Sequence, residues 1–320
     1  MTTTIENMRL MPMFPQMTGL RTLLTPIRVL LVTTLALVSC AEEPINRERL
    51  ESGITTLLER QEGEFAVAFK ELEQGGDQLL INGNEMFHAA STMKTPVMIE
   101  VFKQAAEGAF QLSDSLLVKN EFRSIVDSSR YRMDIGENSD EELYKYIGRK
   151  RPILDLVEVM ITTSSNLATN ILVEKVGARQ VTQTMRSYGA DSILVLRGVE
   201  DIKAYERGLS NRTTARDLMI IFEKLGRGEA VNRAASERMI EILKRQEYND
   251  MIPAKLPENV DVAHKTGWIT GVHHDSGLVM LPDGRRYVLG LLSKNAPDRE
   301  AVLAMFAEIS HLVYRYVTKK

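Results

Sequence analysis

Cysteine occurs once in the 320 residues, at Cys40, and tryptophan once, at Trp268. A lone thiol excludes an intramolecular disulfide framework, a paired-cysteine redox site and a cysteine-built metal site. Glycine-rich phosphate-cradling loops are missing too, which removes the nucleotide-binding signatures. Neither charge sign dominates: 40 basic against 43 acidic residues leave a net charge of -3. Without a basic footprint, nucleic acid is not expected among the partners. No apolar run reaches the roughly 20 residues that a bilayer-spanning helix requires. What remains is ordinary globular composition, 44% hydrophobic and 26% charged, sufficient for one large core or two modest ones.

The N-terminal segment has a pattern of its own. Arg21 and Arg28 precede the apolar run VLLVTTLALV, which closes on Leu37-Val38-Ser39-Cys40. Basic residues ahead of so short an apolar run read as a secretory signal. The closing tetrapeptide resembles the lipobox of bacterial lipoproteins. That resemblance implies a signal peptide over residues 1–39, lipidation of Cys40 and a tether over residues 40–49. Met17 is a second candidate start, giving a signal of more usual length. Ala41 in place of aspartate resembles lipoproteins sorted to an outer membrane. The expected location is therefore the periplasmic face of a bacterial membrane, reached by export and held by a lipid anchor.

Further along, EFAVAFKEL (64–72) and DQLLING (77–83) flank Glu-Gln-Gly-Gly and predict a hairpin. An apolar helix follows, and from about 105 to 250 the chain reads mostly helical. Predicted helices there cover 153–162, 166–176, 178–188, 213–225 and 233–244. Residues 189–212 form a long polar connection, a length that usually signals function. Three strands then run through DVAHKTGW, VHHDSGLVMLP and RRYVLGLLSKN, and a helix over 298–317 ends the chain. Strands from both chain ends can share one antiparallel sheet. The expected fold is mixed α/β: a five-stranded antiparallel sheet flanked by helices, plus an all-α subdomain over about 105–250.

Three polar clusters punctuate this plan. In FHAASTMKTPVMIEVFKQ, Ser91 and Lys94 stand one helical turn apart at the head of an apolar helix. A serine hydroxyl needs a base, and a lysine can serve if burial and neighbouring charge lower its pKa. The helix N-terminus adds backbone N–H groups that stabilise an oxyanion. The same spacing also fits an N-cap serine beside a solvated lysine. Ser164-Ser165-Asn166 lies between two predicted helices; its hydroxyl can relay a proton and its amide can hold substrate. It also fits a helix cap, and Ser293-Lys294-Asn295 repeats the pattern. Lys265-Thr266-Gly267 falls on a predicted strand, where lysine and threonine can grip a carboxylate and glycine admits a close neighbour.

Together, in this order, the three clusters resemble the S-x-x-K, S-D-N and K-T-G set of the β-lactamase and penicillin-binding superfamily. ITTSSNLATNILVEKVGA and TTARDL resemble the class A enzymes in particular. The resemblance spans about 50–318 and implies a catalytic domain there. It also implies that Ser91 is acylated, Lys94 deprotonates it and Ser164 shuttles the proton. Asn166, Lys265 and Thr266 would bind substrate beside Gly267, with the backbone N–H groups of Ser91 and Trp268 as the oxyanion hole. The implied activity is hydrolysis of β-lactam amides through an acyl-serine, by a monomer without metal or organic cofactor. Alternatives are a D-Ala peptidase or esterase of the same superfamily, or a penicillin-binding sensor that acylates once.

Two departures from the family pattern stand out. Ser165 replaces the aspartate of S-D-N, removing a charge from the turn. The water-activating glutamate of R-x-E-x-x-L-N has no strict counterpart. Arg197 is present, but Val199 falls at the glutamate position, and four residues after Glu200 stands Ala204 rather than asparagine. Glu200 fits with one inserted residue, and Glu206 is a second candidate. His264, His273, His274 and Asp275 lie on or beside paired strands, where hydrogen-bonded burial is expected rather than a metal site.

Overall fold

The computed structural model describes residues 45–134 and 141–319. The predicted signal peptide, the alternative start at Met17 and Cys40 lie outside them. The first element is a helix, α1 (Arg47–Leu58), whose Arg49 N–H donates to the Asn46 side chain at 2.9 Å. Leu50, Ile54 and Leu58, spaced four apart, are its buried stripe. The tether expected over residues 40–49 is thus helical from Arg47 on. The dense charge around this stripe obscured it in the sequence.

Next come the hairpin strands β1 (Glu64–Glu71) and β2 (Gln78–Ile81), then β3 (Phe87–His88). A 3-10 turn over Ala90–Met93 leads into α2 (Lys94–Ala106). The middle of the chain carries β4 (Ser115–Leu117), β5 (Phe122–Arg123), β6 (Arg130–Tyr131), α3 (Glu141–Tyr144) and β7 (Lys150–Pro152). Its larger helices are α4 (Ile153–Thr162), α5 (Asn166–Val176) and α6 (Ala178–Ser187). After α7 (Ile202–Glu206) and β8 (Arg212–Thr213) come α8 (Ala215–Gly226) and α9 (Arg233–Leu243). The chain closes with β9 (Asp261–Ile269), β10 (Val272–Met280), β11 (Arg286–Lys294) and α10 (Arg299–Thr318).

One five-stranded antiparallel sheet has the order β2-β1-β11-β10-β9, joining strands from both chain ends as expected. Side-chain alternation along β1 separates two cores. Phe65, Val67 and Phe69 face α1 and α10, where Phe65 meets Phe306 edge-on. Ala66 and Ala68 face the opposite side, against α8 and the helices beyond it. Since both faces are covered, β10 is buried over eight successive residues, its histidines and Asp275 included.

The expectation of an all-α subdomain over 105–250 needs correction. β4 pairs with β7, β5 with β6, and β8 reaches back to β3. Moreover, α8 packs on the large sheet. These ribbons are two or three residues long, too short for strand periodicity to register. The apolar helix that follows the hairpin is α2, and its first nine residues, Lys94 to Phe102, are all buried. It is the central helix of the second core, and Lys94 is buried with it.

Because Ile54 is fully buried against the α10 layer, Ile54→Ala should lower stability by about 2–5 kcal/mol. Urea denaturation of the full-length protein checks this. A loss under about 0.5 kcal/mol, the usual surface range, would detach α1 from the folded core.

Candidate active site

Ser91 does not cap α2. The helix opens from the 3-10 turn with no side-chain cap, and the Ser91 carbonyl accepts the Lys94 N–H one turn on. The serine is half-buried on the wall of an open cleft of about 300 Å³. Ala90, immediately before it, has a left-handed backbone (φ +43°). For a non-glycine residue that conformation costs about 1–2 kcal/mol. Strand β9, at the sheet edge, presses Gly267 onto this turn: a Cβ there would lie 2.9 Å from Ser91 N and 3.0 Å from Thr92 N. The neighbour that this glycine admits is the serine's own backbone.

Lys94 reaches from α2 to the turn before α5. Its Nζ lies 2.7 Å from the Ser164 carbonyl oxygen, 2.8 Å from Asn166 Oδ1 and 3.1 Å from Ser164 Oγ. Two of these partners only accept, whereas the hydroxyl can also donate. A neutral amine fits this set with two N–H groups and one lone pair. Burial, and then the positive charge of Lys265, hold Lys94 well below the ordinary lysine value, with Glu200 pulling the other way. Lys265 Nζ donates to the Ser164 hydroxyl at 3.1 Å and to the Thr266 carbonyl at 3.0 Å. Burial brings it down to about 7, against the opposing pull of Asp275. Ser164 Oγ therefore stands between two lysines of lowered proton affinity.

The local chain explains why Ser164 turns inward. Ser165 is the α5 cap: its Oγ accepts the Ala168 N–H at 3.2 Å, and its own N–H donates to the Val159 carbonyl at 3.0 Å. Serine thus holds the turn where the family has aspartate. With Ser165 capping, Ser164 takes the left-handed position (φ +61°) and Asn166 begins the helix.

Glu200 and Glu206 separate in space. Glu200 lines the Ser91 cleft, and its Oε1 accepts from Asn166 Nδ2 at 2.8 Å. The Asn166 side chain therefore links Glu200 to Lys94. Glu206 is exposed at the end of α7, among Met86, Tyr205 and Arg212, outside that cleft. Glu200 too has a left-handed backbone (φ +61°), so its loop must be held from outside.

Residues that sequence reasoning passed over do this. Asn170 Oδ1 accepts the Val199 N–H at 2.6 Å, and its Nδ2 donates to the Val199 carbonyl at 3.0 Å. A Cβ on Gly198 would stand 2.2 Å from that Oδ1, so glycine is required there. Asp201 caps α7 and also accepts from Ser124 Oγ and the Ile125 N–H. Asn211 bonds both backbone groups of Arg197, while its own carbonyl accepts the Ala89 N–H. Arg197 in turn donates to the Leu209 and Gly198 carbonyls. The spacing of Asn166 and Asn170, four apart on one helix face, was the legible signal for the first of these clamps.

Thr266 is buried on β9, and Trp268 is 67% exposed at the cleft rim with Ile202 and Tyr205. His264 is buried with both ring nitrogens occupied, one by Asp275 at 2.9 Å and one by Asn249 Oδ1 at 3.0 Å. His273 and His274 are buried on β10.

A family model described as the β-lactamase enzyme family matches residues 49–317. The extended-spectrum β-lactamase PER-1 of Pseudomonas aeruginosa is 23% identical over 317 residues, covering 94% of this chain and 96% of that protein. A β-lactamase structure from Sphaerobacter thermophilus DSM 20745 aligns with a TM-score of 0.74 at 24% identity, over 86% of this chain and 98% of that one. At that identity the likeness speaks for the fold. The structure of PBP-A also aligns at 0.74, with 28% identity over 87% of this chain and 99% of its own. A variant of PBP-A was solved as an acyl-enzyme complex with penicillin G.

Gly267→Ala should push β9 away from the Ser91 turn and slow covalent labelling of Ser91 by a fluorophosphonate about 100-fold. Intact-mass time courses measure this; labelling at the parent rate would show that the close approach is dispensable.

Proposed function

This chain belongs to the β-lactamase enzyme family, and we propose that it hydrolyses β-lactam amides through an acyl-Ser91 intermediate. One observation carries the reading: within the Ser91 cleft, Asn166 joins the Lys94 amine to the Glu200 carboxylate. In this mechanism Lys94, as a neutral amine, takes the Ser91 proton while Oγ attacks the lactam carbonyl carbon. The backbone N–H groups of Ser91 and Trp268 stabilise the oxyanion, and fixed donors of this kind supply much of the rate acceleration in acyl transfer. The C–N bond then breaks, and Ser164 passes the proton from Lys94 to the departing nitrogen. Charged Lys265, with Thr266, grips the substrate carboxylate beside Gly267. Glu200 takes a proton from water as that water attacks the acyl carbonyl; the bond from the acyl carbon to Ser91 Oγ then breaks, and the proton passes from Glu200 to Oγ.

A sensor that acylates once has no need of a carboxylate in the cleft, so the position of Glu200 favours turnover. Mixing the protein with a chromogenic cephalosporin, following colour and intact mass, tests the proposal. Wild type should turn over steadily, and Ser91→Ala should show neither colour nor adduct. Glu200→Gln should release one burst and keep its mass increase, with deacylation about 100- to 10,000-fold slower. Glu206→Gln should match wild type. An undiminished deacylation rate in Glu200→Gln would refute the assignment.

The pH dependence follows from Lys265, which loses its charge as pH rises through about 7. KM for a penicillin carboxylate should therefore rise above that pH, and Lys265→Arg should remove the rise at some cost in rate. A KM independent of pH from 6 to 9 would assign carboxylate binding elsewhere.

We further propose export and lipid anchoring through Cys40, at the periplasmic face of an outer membrane. The basic-apolar run ending at the only cysteine supports this. Fractionation of cells expressing Cys40→Ser should move the protein from membrane to soluble fractions. Unchanged membrane association would refute the anchor.

A further inference from the structure

The turn that presents Ser91 is held by a side chain outside the three motifs. His88, two residues ahead of the left-handed Ala90, accepts the Ala90 N–H on its Nδ1 at 3.0 Å. An acceptor nitrogen is unprotonated, so the neutral ring carries its proton on Nε2. Every other bond from this short segment goes to structure that does not titrate near neutrality. The Ala89 N–H donates to the Asn211 carbonyl, while the Ala89 carbonyl accepts from the Thr92 N–H and hydroxyl. The His88 carbonyl faces Nε2 of His274 at 2.8 Å, beneath the segment on β10.

His274 stands opposite Gly267 in the β9–β10 ladder, beside the strand that presses on the serine turn. Its Nδ1 lies 2.8 Å from the His273 carbonyl and receives the Ser293 N–H at 3.2 Å. Burial drives this ring down to about 4, so it is neutral, and its Nε2 lies against the His88 carbonyl. The segment is thus braced from below by a fixed histidine and closed from within by one that lines the cleft.

We propose that His88 is a positioning residue for Ser91: its unprotonated Nδ1 holds the left-handed turn at Ala90 and thereby aims the Ser91 backbone N–H and hydroxyl into the cleft. Protonating Nδ1 would set one donor against another and release the turn. The groups around the ring are Arg197, Glu200 and Asp201 across the cleft, Tyr205 and Glu206 of α7, Arg212 of β8 and His274 of β10. Burial, and then the Arg197 charge, hold His88 below the ordinary histidine value, which keeps the acceptor available into mild acid. Its effect on acylation rests on the hydrolase reading above; the tie itself does not.

Two measurements on the full-length protein test this. First, with histidine, alanine and serine labelled with nitrogen-15, the Ala90 and Ser91 amide resonances should titrate together with the His88 ring. In His88→Asn, whose side-chain oxygen can accept but does not titrate, that shared step should vanish. Second, single-turnover acylation by a chromogenic cephalosporin should slow at least about tenfold in His88→Ala and recover to within about threefold of wild type in His88→Asn. The thermal midpoint should be unchanged in both, which separates positioning from folding damage. Wild type should show an acid step in the acylation rate below the ordinary histidine range, and His88→Asn should lack it. Acylation at the wild-type rate in His88→Ala, no recovery in His88→Asn, or a Ser91 amide that ignores the ring would each overturn the proposal. Wild-type protein that forms no acyl-enzyme would instead defeat the hydrolase reading, leaving the resonance titration to decide on His88.

Discussion

An amine enclosed in the core organises this molecule. Lys94 sits on a helix whose first nine residues are buried, so water cannot satisfy it. A buried, unpaired ammonium would cost several kcal/mol. The structure meets this with two oxygens of Ser164 and one of Asn166, at the head of α5, and with a lowered proton affinity. That solution fixes where α5 must enter relative to α2 and how Ser164 and Asn166 must face. Lys265 then approaches the same hydroxyl from β9. Three segments distant in the chain thus meet around one nitrogen, and the requirement for a basic group and the requirement for a satisfied core coincide.

The second constraint is backbone strain, part of which falls around the Ser91 cleft. Ala90, Ser164 and Glu200 all take left-handed conformations that ordinary residues avoid. Such residues persist only where their surroundings over-determine them. Ser164 is held by the Ser165 cap and by the lysines. The loop around Glu200 is held by Asn170, Asp201 and Asn211, each of which bonds backbone groups rather than substrate. Fixing side chains through neighbours of this kind limits their motion to what the reaction needs. The loop is also held without the asparagine that the family pattern places after its glutamate: a clamp reaches it from α5 instead.

Much of the architecture was legible because it rests on long periodic segments. The boundaries of α4 and α5, the three C-terminal strands and β1 follow from residue patterns of eight or more positions. The elements that escaped are short or camouflaged. The ribbons β4–β7 and β5–β6 offer two or three residues each, and α1 hides its buried stripe among charged neighbours. α8 reads as one more helix of the middle segment; its place on the sheet depends on the small side chains of β1, which no local pattern in α8 records.

By itself the sequence determined which groups are available and in what order: a hydroxyl and an amine one helical turn apart, a second hydroxyl with an amide, and a lysine on a strand. Helical and strand periods are local, so their consequences can be read along the chain. Which glutamate shares the cleft was not local, because a single inserted residue in an irregular loop leaves several registers with equal claim. Tertiary structure decided it, bringing Glu200 to Asn166 and leaving Glu206 on the outer surface. It likewise decided the proton affinities of Lys94 and Lys265, since desolvation depends on what the rest of the fold packs around a side chain.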